Sequence, residues 1–430
     1  MRRILIIADD LSGAADCGMA CASAGLSASV VLGDAAGTLD VNVLSVDGDT
    51  RRLPPREAAN ETAKLLRRYR NEEQLVFKKL DSTLRGNIGS ELAAVLEAQR
   101  NFHSPSERII AILAPAFPAN GRITLRGRQY VNDRPLEETE IWQRDERRSD
   151  SQISAMLQSA KLTSALLDLD AVRSPDSLPE TMSKLAEQSD VLICDAETGE
   201  DLRAIADAAA ALGPGTVWAG SAGLAYHLPT AIGMGRASRT ISPQQLAAGP
   251  TLFAVGTVSR TSREQARLLA SAPNVTSITI PPDDLLAGNH SLKWQEHEHL
   301  LSNVLENGGD VVALLGMETE AKIDVTQSRL LAEALARMIV PHSQKIGALV
   351  VTGGETARCV MQACGIAALR LVAEVEPGLP FAVAENWSRP LPILTKAGDF
   401  GTPQTLLHCL EFLRNLDRNP EAAPQQGRKV

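Results

Sequence analysis

Val350-Val351-Thr352-Gly353-Gly354-Glu355-Thr356-Ala357 and Ile6-Ile7-Ala8-Asp9-Asp10-Leu11-Ser12-Gly13-Ala14-Ala15-Asp16 follow one pattern. Each is an apolar strand that runs into small and polar residues and then into a helical period. The first ends in glycines, the second in paired carboxylates. Glycines at a strand-to-helix turn suit phosphate, because backbone N–H donors and the positive helix end converge there. Carboxylates at such a turn suit a hydroxyl-bearing substrate or a metal. Together the two turns point to phosphoryl transfer between two domains.

The same pattern repeats outward from both turns. Apolar runs at Ile4–Ala8, Ala28–Leu32, Val41–Val46, Leu75–Leu80, Ile109–Ala114, Ala165–Leu169, Val191–Asp195 and Thr216–Ala219 lack polar alternation and read as buried parallel strands. Helical patterns at Gly13–Ala24, Arg56–Tyr69, Ser90–Gln99 and Leu202–Leu212 lie between several of them. A second series has strands Leu252–Val255, Thr276–Ile280, Asp310–Leu315, Ala348–Thr352 and Leu369–Val375. Its helices are Ser262–Leu269, Gln327–Ile339 and Glu355–Cys364, with a last one near Pro403–Leu416. The fold class expected is α/β: two α/β domains with mainly parallel sheets facing an interdomain cleft. Residues 1–232 form the first domain, 233–250 a linker, 251–418 the second domain and 419–430 a disordered tail. Residues 120–152, rich in Arg and Glu, break the rhythm as a long loop or a small antiparallel excursion.

The 430 residues exceed what one core usually serves, which also favours two domains. Composition is 44% hydrophobic and 22% charged, ordinary for a soluble globular protein. A net charge of -9 and the lack of a basic block argue against a nucleic-acid binder. No apolar run approaches the roughly 20 residues of a membrane span. Acids follow the short apolar run at the N-terminus too soon for a signal peptide. The six cysteines contain no CxxC pair and read as buried thiols in a reducing cytoplasm.

Several strand ends carry chemistry. Ligands of open parallel sheets bind beyond the carboxyl ends of the strands, which is where Asp9 and Asp10 fall. Asp10 can orient or deprotonate a substrate hydroxyl; the plain alternative is a helix N-cap. Lys78-Lys79-Leu80-Asp81-Ser82-Thr83-Leu84-Arg85-Gly86-Asn87 mixes cations with short hydroxyl side chains, as an anionic polyol requires. The alternative there is a helix start capped by Ser82 or Thr83. Arg51, in Asp49-Thr50-Arg51-Arg52, can reach the same ligand or belong to a surface pair. Ala114-Pro115-Ala116-Phe117-Pro118-Ala119-Asn120-Gly121-Arg122 reads as a stiff wall beside the site. In the second half, Val255-Gly256-Thr257-Val258-Ser259, Gly353-Gly354-Glu355-Thr356 and Lys396-Ala397-Gly398-Asp399-Phe400-Gly401 are three glycine-bearing turns that fit a nucleotide pocket.

Absences narrow the class. There is no GxxxxGK[ST] and no GxGxxG opening a helix, which disfavours a P-loop enzyme and a standard dinucleotide fold. Gly220-Ser221-Ala222-Gly223 is not a GxSxG elbow. His297-Glu298-His299 has the wrong spacing for HExxH and reads as a solvated helix face.

In order along the chain, ADDLSGAAD, KKLDSTLRGN, APAFPANGRIT, GSAGLA (Gly220–Ala225), TGGETA, EPGLP (Glu376–Pro380) and KAGDFG resemble the four-carbon acid sugar kinases, a family earlier catalogued as a domain of unknown function. Ser12 stands where that family often has Thr, and Gly256-Thr257 where it often has Gly-Ser. The resemblance implies a sugar-acid-binding first domain, a nucleotide-binding second domain, and ATP with Mg²⁺ as cofactors. It implies transfer to the terminal (4-) hydroxyl of a threonate or erythronate. By motif, Asp10, Arg51, Asp81, Ser82, Thr83, Leu84 and Arg85 would bind the sugar acid. Ser259, Gly353, Gly354, Glu355, Thr356 and Gly398 would bind ATP. Metal ligands are not identified. Asp10 is preferred over Asp81 as the base, with the substrate carboxylate on Arg85 or Arg51. The start of the chain looks closest to the D-threonate kinases, with D-erythronate and L-threonate kinases as alternatives. A non-catalytic sugar-acid sensor and an α/β oxidoreductase are the competing classes. The partners expected are the small sugar acid and ATP, with no nucleic acid and no membrane, and a homo-oligomer stays open.

Overall fold

The computed structural model describes residues 3–33, 39–71, 74–143, 151–234, 246, 249–257, 259–316, 325–376, 378–385 and 387–418. Most of the expected linker, the expected tail and Arg147-Arg148 lie outside these residues. The chain divides into two compact units, Met1–Ser238 and Arg239–Val430.

The first unit is built on strands β1 (Arg3–Ala8), β2 (Ala28–Leu32), β3 (Val43–Asp47), β4 (Gln74–Lys79), β5 (Ile110–Ala114), β6 (Arg122–Leu125), β7 (Arg128–Val131), β8 (Arg134–Pro135), β9 (Ser164–Leu167), β10 (Val191–Cys194) and β11 (Thr216–Gly220). Eight of them form one sheet in the order β2-β3-β1-β4-β11-β5-β10-β9. Every neighbouring pair in it is parallel. β1, β2 and β3 are buried along nearly their whole length, as their unalternated apolar sequence requires. After β1 the chain moves to one side of that strand, through β2 and β3. It then returns to add β4 on the other side. The crevice for a ligand therefore opens past the carboxyl ends of β1 and β4.

Helix α1 (Leu11–Ser23) starts where Asp10, in an extended conformation, accepts the Gly13 N–H at 2.9 Å. It is buried almost all round by Ala, Cys, Gly and Met, small enough to lie close on the sheet. Helix α2 (Pro55–Tyr69) begins on a proline and keeps its charged face in solvent, and helix α3 (Ile88–Arg100) follows β4. β6, β7 and β8 form a separate antiparallel sheet. The interruption expected over 120–152 is thus the antiparallel excursion. Asp195 fixes its β6–β7 turn by accepting the Arg126 and Gly127 N–H groups at 2.6 and 2.9 Å.

The second unit repeats the plan with β12 (Thr251–Val255), β13 (Val275–Ile280), β14 (Asp310–Leu315), β15 (Ala348–Thr352), β16 (Ala368–Glu376), β17 (Leu379–Glu385) and β18 (Pro392–Lys396). Its order is β13-β14-β12-β15-β18-β17-β16. The first five are parallel, whereas β17 pairs antiparallel with both β18 and β16. The run Leu369–Val375 therefore lies in an antiparallel hairpin rather than in a parallel unit. Gly378, at φ 80°, turns the chain between β16 and β17. The order reverses again, here between β12 and β15, so the glycine turns after these two strands share a crevice. Phe253, Phe381, Val350, Leu394 and Leu410 are among the buried side chains of this unit's core. Burying each such side chain contributes about 1.5–3 kcal/mol.

Candidate active site

In the first unit three loops meet past β1, β3 and β4. The Thr50 and Arg51 N–H groups both donate to the Asp9 carbonyl, at 3.0 and 3.1 Å. Asn87 Nδ2 donates to the carbonyls of Thr50 and Leu53, at 3.1 and 2.9 Å. These bonds join residues 49–53 to the β4 loop. Inside that frame Arg51 is the hub. Its Nε and Nη2 donate to the two oxygens of Asp9 at 2.7 and 3.0 Å, and its Nη1 to Asp10 Oδ2 at 2.6 Å. Asp81 Oδ1 lies 3.8 Å from the same guanidinium. The surface-pair reading of Arg51 is thereby excluded.

Asp81 is held from the other side. Arg85 grips it with Nε and Nη2 at 2.7 and 3.0 Å, and the Thr83 hydroxyl donates to it at 2.5 Å. Leu84 has φ 56°, a left-handed conformation that costs a branched side chain of this kind about 1 kcal/mol or more. The turn closes with Leu84 N–H on the Asp81 carbonyl. Neither Ser82 nor Thr83 caps a helix, since α3 begins at Ile88 after Asn87. Gln129, fully buried on β7, donates to the Ser82 carbonyl at 2.8 Å and so ties the antiparallel excursion to this turn. Arg122 on β6 is close enough to feel the charges of Asp81 and Arg85, although burial is what chiefly lowers its pKa.

These contacts distinguish the carboxylates. Burial alone would raise Asp81, but Arg85 and Arg51 outweigh it and hold the group well below the usual carboxylate range. Asp9 behaves alike: burial raises it, and Arg51 with Lys79 and Lys78 draws it lower overall. Both oxygens of Asp81 accept bonds from the chain, as do both of Asp10, from the Gly13 N–H and Arg51 Nη1. Asp10 is the more open group, its side chain 25% exposed against 10% for Asp81. Asp10 is also the N-cap of α1, so the helix-cap and active-site readings hold together in one residue.

Lys78 and Lys79 point to opposite faces of β4. Lys78 is fully buried, with Nζ 2.8 Å from Glu91 Oε2 of α3. The angles there make it a close ion pair rather than a directed hydrogen bond. Lys79 turns toward α1. A methyl group on Gly13 would stand 2.8 Å from Lys79 Nζ and 2.7 Å from Asp10 Oδ1.

In the second unit the three glycine turns gather. Gly353, at φ 91°, precedes the helix Gly354–Ala363, and its N–H donates to the Lys396 carbonyl at 2.8 Å. A side-chain carbon on Gly256 would stand 2.2 Å from Thr356 Oγ1, and one on Gly398 2.7 Å from Thr257 Oγ1. A side chain at either point would have to displace a threonine. Ser259 caps the helix Arg260–Leu269 and donates to the Gly398 carbonyl at 3.1 Å. Ser262 donates to the same carbonyl at 2.6 Å. Lys396 Nζ reaches the carbonyls of Ala397, Gly398 and Phe400 at 2.9, 3.1 and 3.0 Å. Burial brings its pKa down to about 8. Val258 lies outside the described residues, and Glu355 stands in the first turn of its helix. His297, expected on a solvated face, instead meets Asp284 at 2.9 Å and is partly buried.

Two family models match this chain: a sugar-binding N-terminal domain over residues 4–228 and a nucleotide-binding C-terminal domain over residues 252–406. A carboxylate-lined crevice in one unit and a glycine-lined one in the other are what a sugar-phosphorylating enzyme needs. The chain is 37% identical to a D-threonate kinase of Cupriavidus necator, over 97% of this chain and 99% of the relative. It is 28% identical to a D-threonate kinase of Salmonella typhimurium (96% and 99%) and 26% to a D-erythronate kinase of Heliobacterium modesticaldum (96% and 97%). A solved Salmonella typhimurium structure shares the fold, with TM-score 0.79 at 19% identity over 95% of this chain and 99% of that one. The chain belongs to the four-carbon acid sugar kinase family and is a phosphotransferase. Among the described residues no helix is long and apolar enough to cross a membrane.

Proposed function

We propose that this kinase transfers the γ-phosphoryl group of ATP to the 4-hydroxyl of D-threonate, giving 4-phospho-D-threonate. The observation that carries the reading is the cluster past β1 and β4: one semi-open carboxylate, Asp10, beside carboxylates already neutralised by arginines. Asp10 orients the hydroxyl and accepts its proton. Asp81 is the weaker base, since its charge is held by Arg85 and Arg51. Ser82, Thr83 and the backbone at Leu84 read the hydroxyls, and the exposed edge of Arg85 receives a ligand oxygen. Most of the acceleration comes from positioning and charge stabilisation.

ATP fits the glycine turns. Gly353 and Gly354 open a helix whose N-terminus suits phosphate, and the Gly256 and Gly398 backbones approach closely because they carry no side chain. Ser259 acts here mainly by shaping the Gly398 turn, with Glu355 and Thr356 lining the helix start. Among the described residues no cluster of three or more His, Cys, Asp and Glu side chains is arranged to hold a metal. Mg²⁺ fits as a partner of the nucleotide phosphates, where it would neutralise charge on the transferred group. The six free cysteines suit a reducing cytoplasm.

D-threonate is favoured over D-erythronate because relatives named D-threonate kinase reach 37% and 30% identity, against 26% for the D-erythronate kinase. The test is ADP release with ATP–Mg²⁺ and each of the four threonate and erythronate stereoisomers. D-threonate should give the highest kcat/KM. A higher value for another isomer would replace the substrate, and no ADP with any of them would overturn the reading.

A further inference from the structure

The arginines of the sugar site are already engaged with protein carboxylates: Arg51 with Asp9 and Asp10, Arg85 with Asp81. Lys79 differs from both. It is 5% exposed and makes no direct hydrogen bond or close ion pair among the described residues, although, against the lowering effect of burial, Cys17, Asp9 and Asp10 raise its pKa. It stands at the N-terminus of α1, a thirteen-residue helix, against the bare Cα of Gly13. That is the wrong end of a helix for a cation, because the N-terminal peptide dipoles are positive. An ammonium taken from water without a hydrogen-bond acceptor costs free energy, which the nearby Asp9 and Asp10 charges offset, and a helix N-terminus adds to that cost. An anion between them supplies the missing acceptor, since the ammonium and the positive helix end then face one charge, although the Gly13 N–H itself is already taken by Asp10. Gly13 keeps the space open.

We propose that Lys79 Nζ and the first turn of α1 form an oxyanion subsite of the sugar-acid pocket. The inference rests on the kinase reading above and names a residue beyond it. An anionic oxygen reaches this point from one of two sources, the carboxylate of the sugar acid or the phosphoryl group under transfer. Asp10 Oδ1 borders the same space, so the anion lies beside the group that receives the hydroxyl proton.

Lys79→Met removes the charge at nearly constant volume, and Gly13→Ala pushes the ammonium away while keeping it. Kinetics with ATP and the sugar acid, and calorimetric titration of the sugar acid without nucleotide, separate the sources. If the carboxylate occupies the subsite, Lys79→Met raises KM for the acid and weakens its nucleotide-free binding by about 30-fold or more, and leaves KM for ATP alone. If the phosphoryl group occupies it, kcat falls about 10²–10³-fold while acid binding is kept. Either result supports the subsite, and so does recovery of Lys79→Ala by added methylammonium, which a merely structural lysine would not give. The proposal is overturned if folded Lys79→Met and Gly13→Ala proteins both keep kcat, KM and acid affinity within about threefold of the wild type. Wild-type turnover tests the kinase reading separately. Were it absent, loss of sugar-acid or inorganic-phosphate binding in Lys79→Met would still support the subsite, and unchanged binding of both would overturn it.

Discussion

Arg51 Nη1 lies 2.6 Å from Asp10 Oδ2, while the other edge of the same guanidinium is closed around Asp9. One arginine thus fixes the direction of the semi-open carboxylate at the α1 N-terminus. The proposed base and the helix cap are one side chain, which makes their roles separable by substitution.

Asparagine caps helices about as well as aspartate. Asp10→Asn should therefore keep the melting temperature within a few degrees and lower kcat about 10²–10⁴-fold. Asp10→Ala should lose the activity and about 1 kcal/mol of stability as well. Coupled ADP assays with thermal unfolding decide it. Near-normal turnover by Asp10→Asn would refute the base assignment.

Arg51→Met should destabilise the first unit by about 3–5 kcal/mol, because Asp9 is left buried without its cation. The pH dependence follows in sign. Folded Asp9 and Asp81 titrate below their unfolded values, so they stabilise the protein above the unfolded carboxylate range, and that contribution is lost as pH falls through the folded values. Without Arg51 the folded values rise, and acid unfolding moves to higher pH. Circular dichroism across an acid titration reads the shift; an unchanged midpoint would be the contrary result.

Behind the site, Lys78 and Glu91 form an ion pair with both side chains essentially removed from solvent. Burial raises Glu91 even though Lys78 pulls it down. Lys78→Met alone should cost about 3–5 kcal/mol, whereas Lys78→Met with Glu91→Leu should recover most of the loss. Urea unfolding of the three proteins tests this. A double variant no more stable than the single one would show that the pair does not behave as a unit.

In the second unit Lys396 holds three carbonyls of the Gly398 turn. Lys396→Met should raise KM for ATP about tenfold or more, the equivalent of losing one or two charge-assisted bonds, and change KM for the sugar acid less than about twofold. Equal changes in both constants would contradict a role confined to the nucleotide turns.

The plan of the sheets was legible from residue order. Unalternated runs such as Ile4–Ala8 and Asp310–Leu315 became parallel strands because both faces of such runs must be covered. The hairpin partner β17, Leu379–Glu385, went unrecognised because its apolar run has no helix beside it to mark a crossover. Helix Leu292–Glu306 was legible only as a helix face at His297-Glu298-His299, since its His, Glu and Gln residues hide the extent of the period. At the site, Asp10, Arg51 and the Asp81–Arg85 turn were legible because each lies just past a strand. Gln129, Glu91 and the different faces taken by Lys78 and Lys79 were not. They depend on which face of a strand points where, and on contacts between residues far apart in sequence.

The most direct measurement is real-time ³¹P NMR of the protein with ATP–Mg²⁺ and D-threonate labelled with ¹³C at C4. The account predicts loss of the ATP γ resonance and growth of a phosphomonoester signal coupled to the C4 methylene. Release of inorganic phosphate alone, or an unchanged ATP spectrum with all four stereoisomers, would contradict it.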